Sequence, residues 1–266
     1  MIFQPVIVGP GLVGWNFLQA TYDSQFEAFN KDPVLQRDTE YFAEKIGNVF
    51  TAQELVADRR LLGIALGAFG LSDDLNSQAF IQKILEDGTS DPGALSNRLA
   101  DDRYRQLSDA FGFGPGEIPR TLSDSRMADI LERFQQQTFE VAVGEQDDSL
   151  RIALFAQREL ERISRENTSE DAKWFSIMAL PPLRTMFESA LGLPSSFALI
   201  DIDKQLETFK DRANSIFGDK SVSQFTDPDK LEKATNRFLA RAQIDSFNAT
   251  LSSGSTALTL LRLAGF

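Results

Sequence analysis

The spacing of large apolar residues decides what this chain can become. Trp15, Leu18, Tyr22, Phe26 and Phe29 step by three or four, which places them on one stripe of an amphipathic helix. Leu35, Phe42, Ile46 and Val49 mark a second stripe. Thr51-Ala-Gln-Glu54 has the form of a capping box, in which the Thr hydroxyl accepts an early backbone N–H and the Glu reaches back. The helix it opens runs through Leu55, Leu62, Leu66 and Phe69, with Leu61, Ile64 and Ala68 on the opposite side. A helix apolar nearly all round belongs in a core.

Further helices are expected at about 77–87, 94–111, 124–143, 147–166, 169–179, 182–191, 199–216, 228–246 and 255–264. Alternating period-2 runs are almost absent, so the fold class is all-α and multi-helical, with about ten helices. The longer loops are 70–76, 112–120 and 217–227. The second is the best boundary. It divides the chain into an N-terminal helical half, 1–120, and a C-terminal helical half, 121–266, unless both form one compact domain. Residues 124–166 read as two long helices broken at Gly144, able to join either half.

Three helices end alike. Ala68-Phe-Gly-Leu71, Ala110-Phe-Gly-Phe113 and Ala190-Leu-Gly-Leu193 put Gly70, Gly112 and Gly192 where a helix stops in the left-handed conformation. After Gly70 come Asp91-Pro92 and Asn97-Arg98-Leu99. After Gly192 come Asp227-Pro228 and Asn236-Arg237-Phe238. This echo suggests a diverged internal duplication, roughly 55–113 against 178–266, giving two similar helical halves.

Two absences narrow the chemistry. The 266 residues include no Cys and no His. Disulfides, thiolate nucleophiles, thiolate metal sites, Ser–His–Asp triads and imidazole acid–base chemistry are therefore excluded. No catalytic, cofactor-binding or metal site is expected. The glycines of Gly9-Pro-Gly-Leu-Val-Gly14 fit neither the Walker nor the dinucleotide pattern and read as a turn into the first helix. Asp201-Ile-Asp203 starts like a calcium loop, but Leu206 and Arg212 occupy the positions of its obligatory Gly and Glu. The acidic pairs Asp73-Asp74, Asp101-Asp102 and Asp147-Asp148 have the makings of an acid–base pair only if the fold converges them. At helix starts, capping is the favoured role. Arg59-Arg60 reads as an ion-paired, snorkelling feature rather than an anion site.

The net charge of −12 argues against nucleic-acid partners and anionic membranes. No apolar span is long enough to cross a bilayer, and glycines and prolines interrupt the uncharged residues 1–22, so neither membrane insertion nor a cleaved signal peptide is expected. Residues 246–261 are also poor in charge. Docking on the protein's own core is the favoured fate of both ends. The alternative is a protein-binding surface carrying Trp15, Leu18, Tyr22, Leu260 and Phe266.

The stretch from Phe42-Ala-Glu-Lys-Ile46 through Leu55 to Leu71, with Asp91-Pro92 and Asn97-Arg-Leu99, resembles an uncharacterised bacterial family catalogued as a domain of unknown function. Its members are often encoded among flagellar genes. The resemblance implies a non-enzymatic structural or interaction protein accessory to the flagellum, in the cytoplasm or associated with that organelle, with a flagellar protein partner and no cofactor. The alternative is a carboxylate-dependent enzyme or a small-ligand binder.

Overall fold

A computed structural model describes residues 3–263, with 249–263 as backbone. Among the described residues there are thirteen α-helices, short 3₁₀ turns and no strand. In chain order the helices are α1 (Gly11–Asn30), α2 (Pro33–Lys45), α3 (Ala52–Ala57), α4 (Arg59–Ala68), α5 (Gln78–Asp87), α6 (Leu95–Arg98) and α7 (Asp102–Phe111). They continue as α8 (Asp124–Gly144), α9 (Asp148–Arg165), α10 (Glu170–Ala179), α11 (Pro181–Leu191), α12 (Ile202–Phe217) and α13 (Pro228–Leu263). The fold is all-α. The first and third expected loops contain 3₁₀ turns, at Ser72–Asn76 and Val222–Thr226, and another, Arg120–Leu122, starts at the last residue of the second.

The contacts gather into two units. One holds residues 3–6 and Thr21–Val143; the other holds Ile7–Ala20 and 144–263. The division falls at Gly144, so α8 goes with the first unit and α9 with the second. Helix α1 contributes its first half to one unit and its second half to the other.

The first unit is built on α4. Leu61, Leu62, Ile64, Ala65, Leu66 and Ala68 are all buried, as an all-round apolar helix requires. A Cβ on Gly67 would lie 2.8 Å from the Phe134 ring, so glycine lets α8 approach closely here. The expected single helix from Thr51 is two helices. The capping box is present, with Thr51 Oγ1 accepting from Glu54 N–H and Glu54 Oε2 accepting from Thr51 N–H. Asp58 then leaves the helical conformation and caps α4, accepting from Arg60 N–H at 2.9 Å and Leu61 N–H at 3.0 Å. Elsewhere in the unit, Phe139 of α8 is fully buried. It meets Tyr22, Phe26 and Phe29 edge-on, at ring separations of 5.4, 5.6 and 5.4 Å.

The second unit centres on Trp174 of α10. Its ring packs edge-on against Phe187 of α11 and Phe209 of α12, and its indole N–H donates to Lys220 O at 2.8 Å. Phe225, in the 3₁₀ turn before α13, closes on Phe187 and Phe217.

Four helices end in a glycine of positive φ whose N–H bonds back onto the last turn: Gly70 (67°), Gly112 (62°), Gly192 (70°) and Gly218 (88°). Gly70 and Gly192 form the full Schellman pattern. Leu71 N–H donates to Leu66 O and Gly70 N–H to Gly67 O; Leu193 N–H donates to Glu188 O and Gly192 N–H to Ser189 O. Gly112 and Gly218 make the single bond of the simpler stop, to Ser108 O and Asn214 O. Gly218 lies in what the sequence presents only as a loop.

Each stop also receives a cation from further along the chain. Arg103 Nη1 donates to Gly70 O at 2.6 Å, and Arg120 donates to Asp109 O. Arg237 Nε donates to Ala190 O at 2.6 Å, and Lys233 Nζ to Ile216 O at 2.8 Å. Positive charge at a helix C-terminus complements the negative end of the macrodipole. Lys233 and Arg237 sit one turn apart on α13, so a single helix fastens the ends of both α11 and α12.

Replacing Gly192 with Ala forces a Cβ into the left-handed region, at a cost of roughly 1–2 kcal/mol. A Cβ on Gly47 meets nothing within 4 Å. Urea denaturation should therefore show a lower midpoint for Gly192→Ala and a near wild-type midpoint for Gly47→Ala; equal midpoints would contradict a strained stop at Gly192. Phe139→Ala should lose about 3–5 kcal/mol in the same assay.

Candidate interaction surface

Most carboxylates of the acidic pairs are engaged by local partners, and Asp74 and Asp101 share the neighbourhood of Arg103 and Tyr104. Asp74 accepts from the Tyr104 hydroxyl at 2.7 Å, while Asp73 is exposed. Burial, reinforced by Asp74, pushes the Tyr104 phenol up to about 12. Asp101 caps α7 and pairs with Arg103 at 2.6 Å; Asp102 pairs with Arg105 at 2.6 Å. Asp147 caps α9 and Asp148 pairs with Arg151. Asp201 caps α12. Among the described residues no three carboxylates are grouped to hold a metal ion.

Arg60 is held by Asp38 at 2.7 Å and by the carbonyl of Arg37, with its guanidinium 4.3 Å above the Tyr41 ring. Tyr41 in turn donates to Asp58 at 2.6 Å. Burial pushes the Asp58 carboxyl up, but the bonds from Tyr41, Leu61 N–H and Arg60 N–H, with the Arg60 charge, outweigh it and leave the group below its usual range. Arg59 bonds Asn76 at 3.0 Å.

The repeated sequence anchors do different local work. Asp227 accepts from Asp229 N–H and Pro228 opens α13, whereas Asp91 accepts from Gly93 N–H in a turn and α6 begins only at Leu95. Arg237 caps α11, while Arg98 is exposed.

One polar cluster has catalytic-looking geometry. Lys173, only 4% exposed, lies 2.6 Å from Ser223 Oγ. A Ser–Lys dyad needs a neutral lysine to take the hydroxyl proton. Here the amine also donates to Ser164 O at 2.9 Å and to Glu170 at 3.3 Å, so it is held by three acceptors at once rather than aimed at the hydroxyl alone. The Ser223 hydroxyl donates to Glu170. Val222 N–H and Ser223 N–H, the nearby backbone donors, also point at Glu170, at 2.6 and 3.2 Å. The cluster is a latch that ties α10 to the 3₁₀ turn before α13. Nothing in the sequence announces it, because Thr168-Ser-Glu-Asp171 shows only a cap. Ser169 does cap α10, but Glu170 reaches fifty residues away.

A shallow depression of 390 Å³ lies along Lys83, Asp87, Ser90, Asp91, Ala94 and Pro115. Its Lys83 and Asp87 are already paired at 2.6 Å.

Apolar surface is the more informative feature. In the turn before α12, Phe197 is buried against Phe209, while Leu199 is 86% exposed and Ile200 and Ile202 remain 42% and 46% exposed. On α13, Ile244 and Phe247 are 58% and 63% exposed. The residues named from sequence fall elsewhere. Trp15 and Leu18 are buried and therefore not free surface; their docking on the protein's own interior is the outcome favoured for that end of the chain. Tyr22 is half-buried against Phe26 and Phe139. The Leu260 side chain and Phe266 lie outside the described residues.

Similarity to known proteins runs along this fold. A family model described as "Protein of unknown function (DUF1217)" matches residues 68–231. This chain belongs to that family. The match runs from the Gly70 stop to the start of α13, so it includes Asp91-Pro92, Asn97-Arg-Leu99 and Asp227-Pro228. Most of the Phe42–Leu71 stretch that carries the sequence resemblance precedes it. The X-ray structure of protein AGR_C_984 from Agrobacterium tumefaciens, a structural genomics target, is similar at a TM-score of 0.74 and 26% identity. That similarity covers 91% of this chain and 98% of the other. No curated protein sequence matches.

Glu170 contributes stability only while ionised. Burial pushes its carboxyl up, but bonds from Ser223, Val222 and Lys173 hold it below the ordinary value near 4.5. That stability is present above the unfolded pKa and is lost as pH falls through the lower folded one. The deficit of Glu170→Gln against wild type, read as urea midpoint, should be largest at neutral pH and shrink below pH 4.5. A deficit independent of pH would contradict the latch.

Proposed function

We propose that this DUF1217 protein is a non-enzymatic helical interaction or structural protein, accessory to assembly or function of the bacterial flagellum. The observation that carries the interaction reading is the exposure of Leu199 and Ile200, beside a turn anchored through buried Phe197, and of Ile202 at the start of α12. Large apolar side chains gathered on a surface mark contact sites for other proteins. The engagement of the acidic pairs in caps and ion pairs supports this reading over a carboxylate enzyme, which needs two acids facing one substrate. The flagellar part rests on the sequence resemblance to a family often encoded among flagellar genes.

The test is a pull-down of tagged protein from motile source cells, quantified by mass spectrometry against an untagged control and a Leu199→Asp, Ile202→Asp variant. Rod, hook or export components should be enriched with wild type and depleted with the variant. Recovery of folded bait alone would refute the proposal.

A further inference from the structure

Residues 3–6 belong to the first unit without being part of any helix. Gln4, Val6 and Val8 are exposed, while Pro5 is buried and Phe3 and Ile7 are half-buried. That alternation is what an extended chain shows when one side of it lies on a surface.

Two buried side chains of the first unit read the backbone of this segment. Gln25 of α1, 7% exposed, engages both polar groups of Val6. Val6 N–H donates to Gln25 Oε1 at 2.6 Å, and Gln25 Nε2 donates to Val6 O at 3.0 Å. One side-chain amide thus makes the paired contact that a neighbouring strand makes in an antiparallel ladder. Asp32, just before α2 and 6% exposed, accepts from Phe3 N–H at 3.1 Å.

Neither reader depends on the segment for its position. Gln25 Nε2 also donates to Thr21 Oγ1 at 2.7 Å, one turn back on α1. Asp32 Oδ1 caps α2, accepting from Val34 N–H at 2.8 Å. Both groups therefore keep their aim when the segment leaves, which is the preorganisation a binding site needs. Three hydrogen bonds set against the ordering of four residues leave the attachment near balance. A short segment of this kind opens locally, at far less cost than global unfolding.

We infer that Gln25 and Asp32 form a backbone-reading site for an extended peptide, which residues 3–6 fill in cis as a detachable strap. The ligand is recognised through its main chain, as when a peptide adds to a sheet edge. It presents an N–H at the Phe3 place, an apolar side chain inward at the Pro5 place, and an N–H and C=O together at the Val6 place. Proline suits the Pro5 place and is excluded at the Val6 place, where Gln25 requires a donor. The site lies in the first unit and the residues around Leu199 in the second, so the inference does not rest on that apolar surface.

The probe is a fluorescent peptide with the sequence of residues 3–9, added to the full chain and read by anisotropy. In the wild type the tethered strap competes at an effective concentration on the order of millimolar. Val6→Pro disables the strap and leaves Gln25 and Asp32 intact, so this chain should bind the probe about tenfold more tightly than wild type, or better. Gln25→Ala in the Val6→Pro chain should abolish the gain, with unchanged circular dichroism. A probe carrying proline at the Val6 place should not bind the Val6→Pro chain, a control that leaves the protein untouched. In wild type the Val6 amide should exchange with solvent faster than the amides of the α4 core. Equal affinity for both chains, equal binding of both probes, or a Val6 amide that exchanges only with global unfolding would overturn the inference.

Discussion

The ends of helices, rather than their middles, hold this fold together. A helix of ten residues leaves its last carbonyls without intrahelical partners. In this protein glycines at Gly70, Gly112, Gly192 and Gly218 turn the chain sharply enough to satisfy some of them, and a later Arg or Lys takes another. Each such bond joins segments separated along the chain. The stops thus serve as tie points between elements, and the apolar faces meet in the orientations those ties allow. Phe-rich packing then fills the space: Phe139 among the rings of α1, and Trp174 among those of α11 and α12.

The same economy governs the acidic pairs. Most of the charges in those pairs are committed to caps, to neighbouring arginines or to remote side chains. Even the closest approach to a nucleophile and base, Ser223 with Lys173, is arranged so that every proton already has a destination. What the surface offers instead is apolar: Leu199 and its neighbours before α12, and Ile244 and Phe247 on α13.

Helix existence was readily legible, because three-four apolar spacing over ten or more residues suits a helix and little else. Helices α5, α8, α9, α10 and α11 lie within a residue or two of where the spacing puts them. Interruptions were not legible. Asp58 divides one apolar run into two helices, and residues 99–101 divide another, because a single capping aspartate can redirect the chain without disturbing the apolar period around it. The opposite discrepancy occurs in α13. Its Ser-Ser-Gly-Ser segment suggests a break, yet the helix continues, since weak propensity only biases the backbone. The Glu170 latch was hidden for a different reason. Its partners include backbone N–H groups fifty residues away, and backbone carries no residue identity to read.

The discontinuity of the second unit has a consequence for biosynthesis. Trp15 and Leu18 precede most of the first unit along the chain, but apart from residues 7–20 the unit they belong to is built from residues after 143. Until α9 to α13 emerge, a newly made chain carries that tryptophan and leucine without the packing that covers them, across the whole interval in which residues 21–143 are synthesised. Closing so long a loop is slow relative to local helix formation. The stretch around Trp15 therefore spends that interval open to non-native contacts.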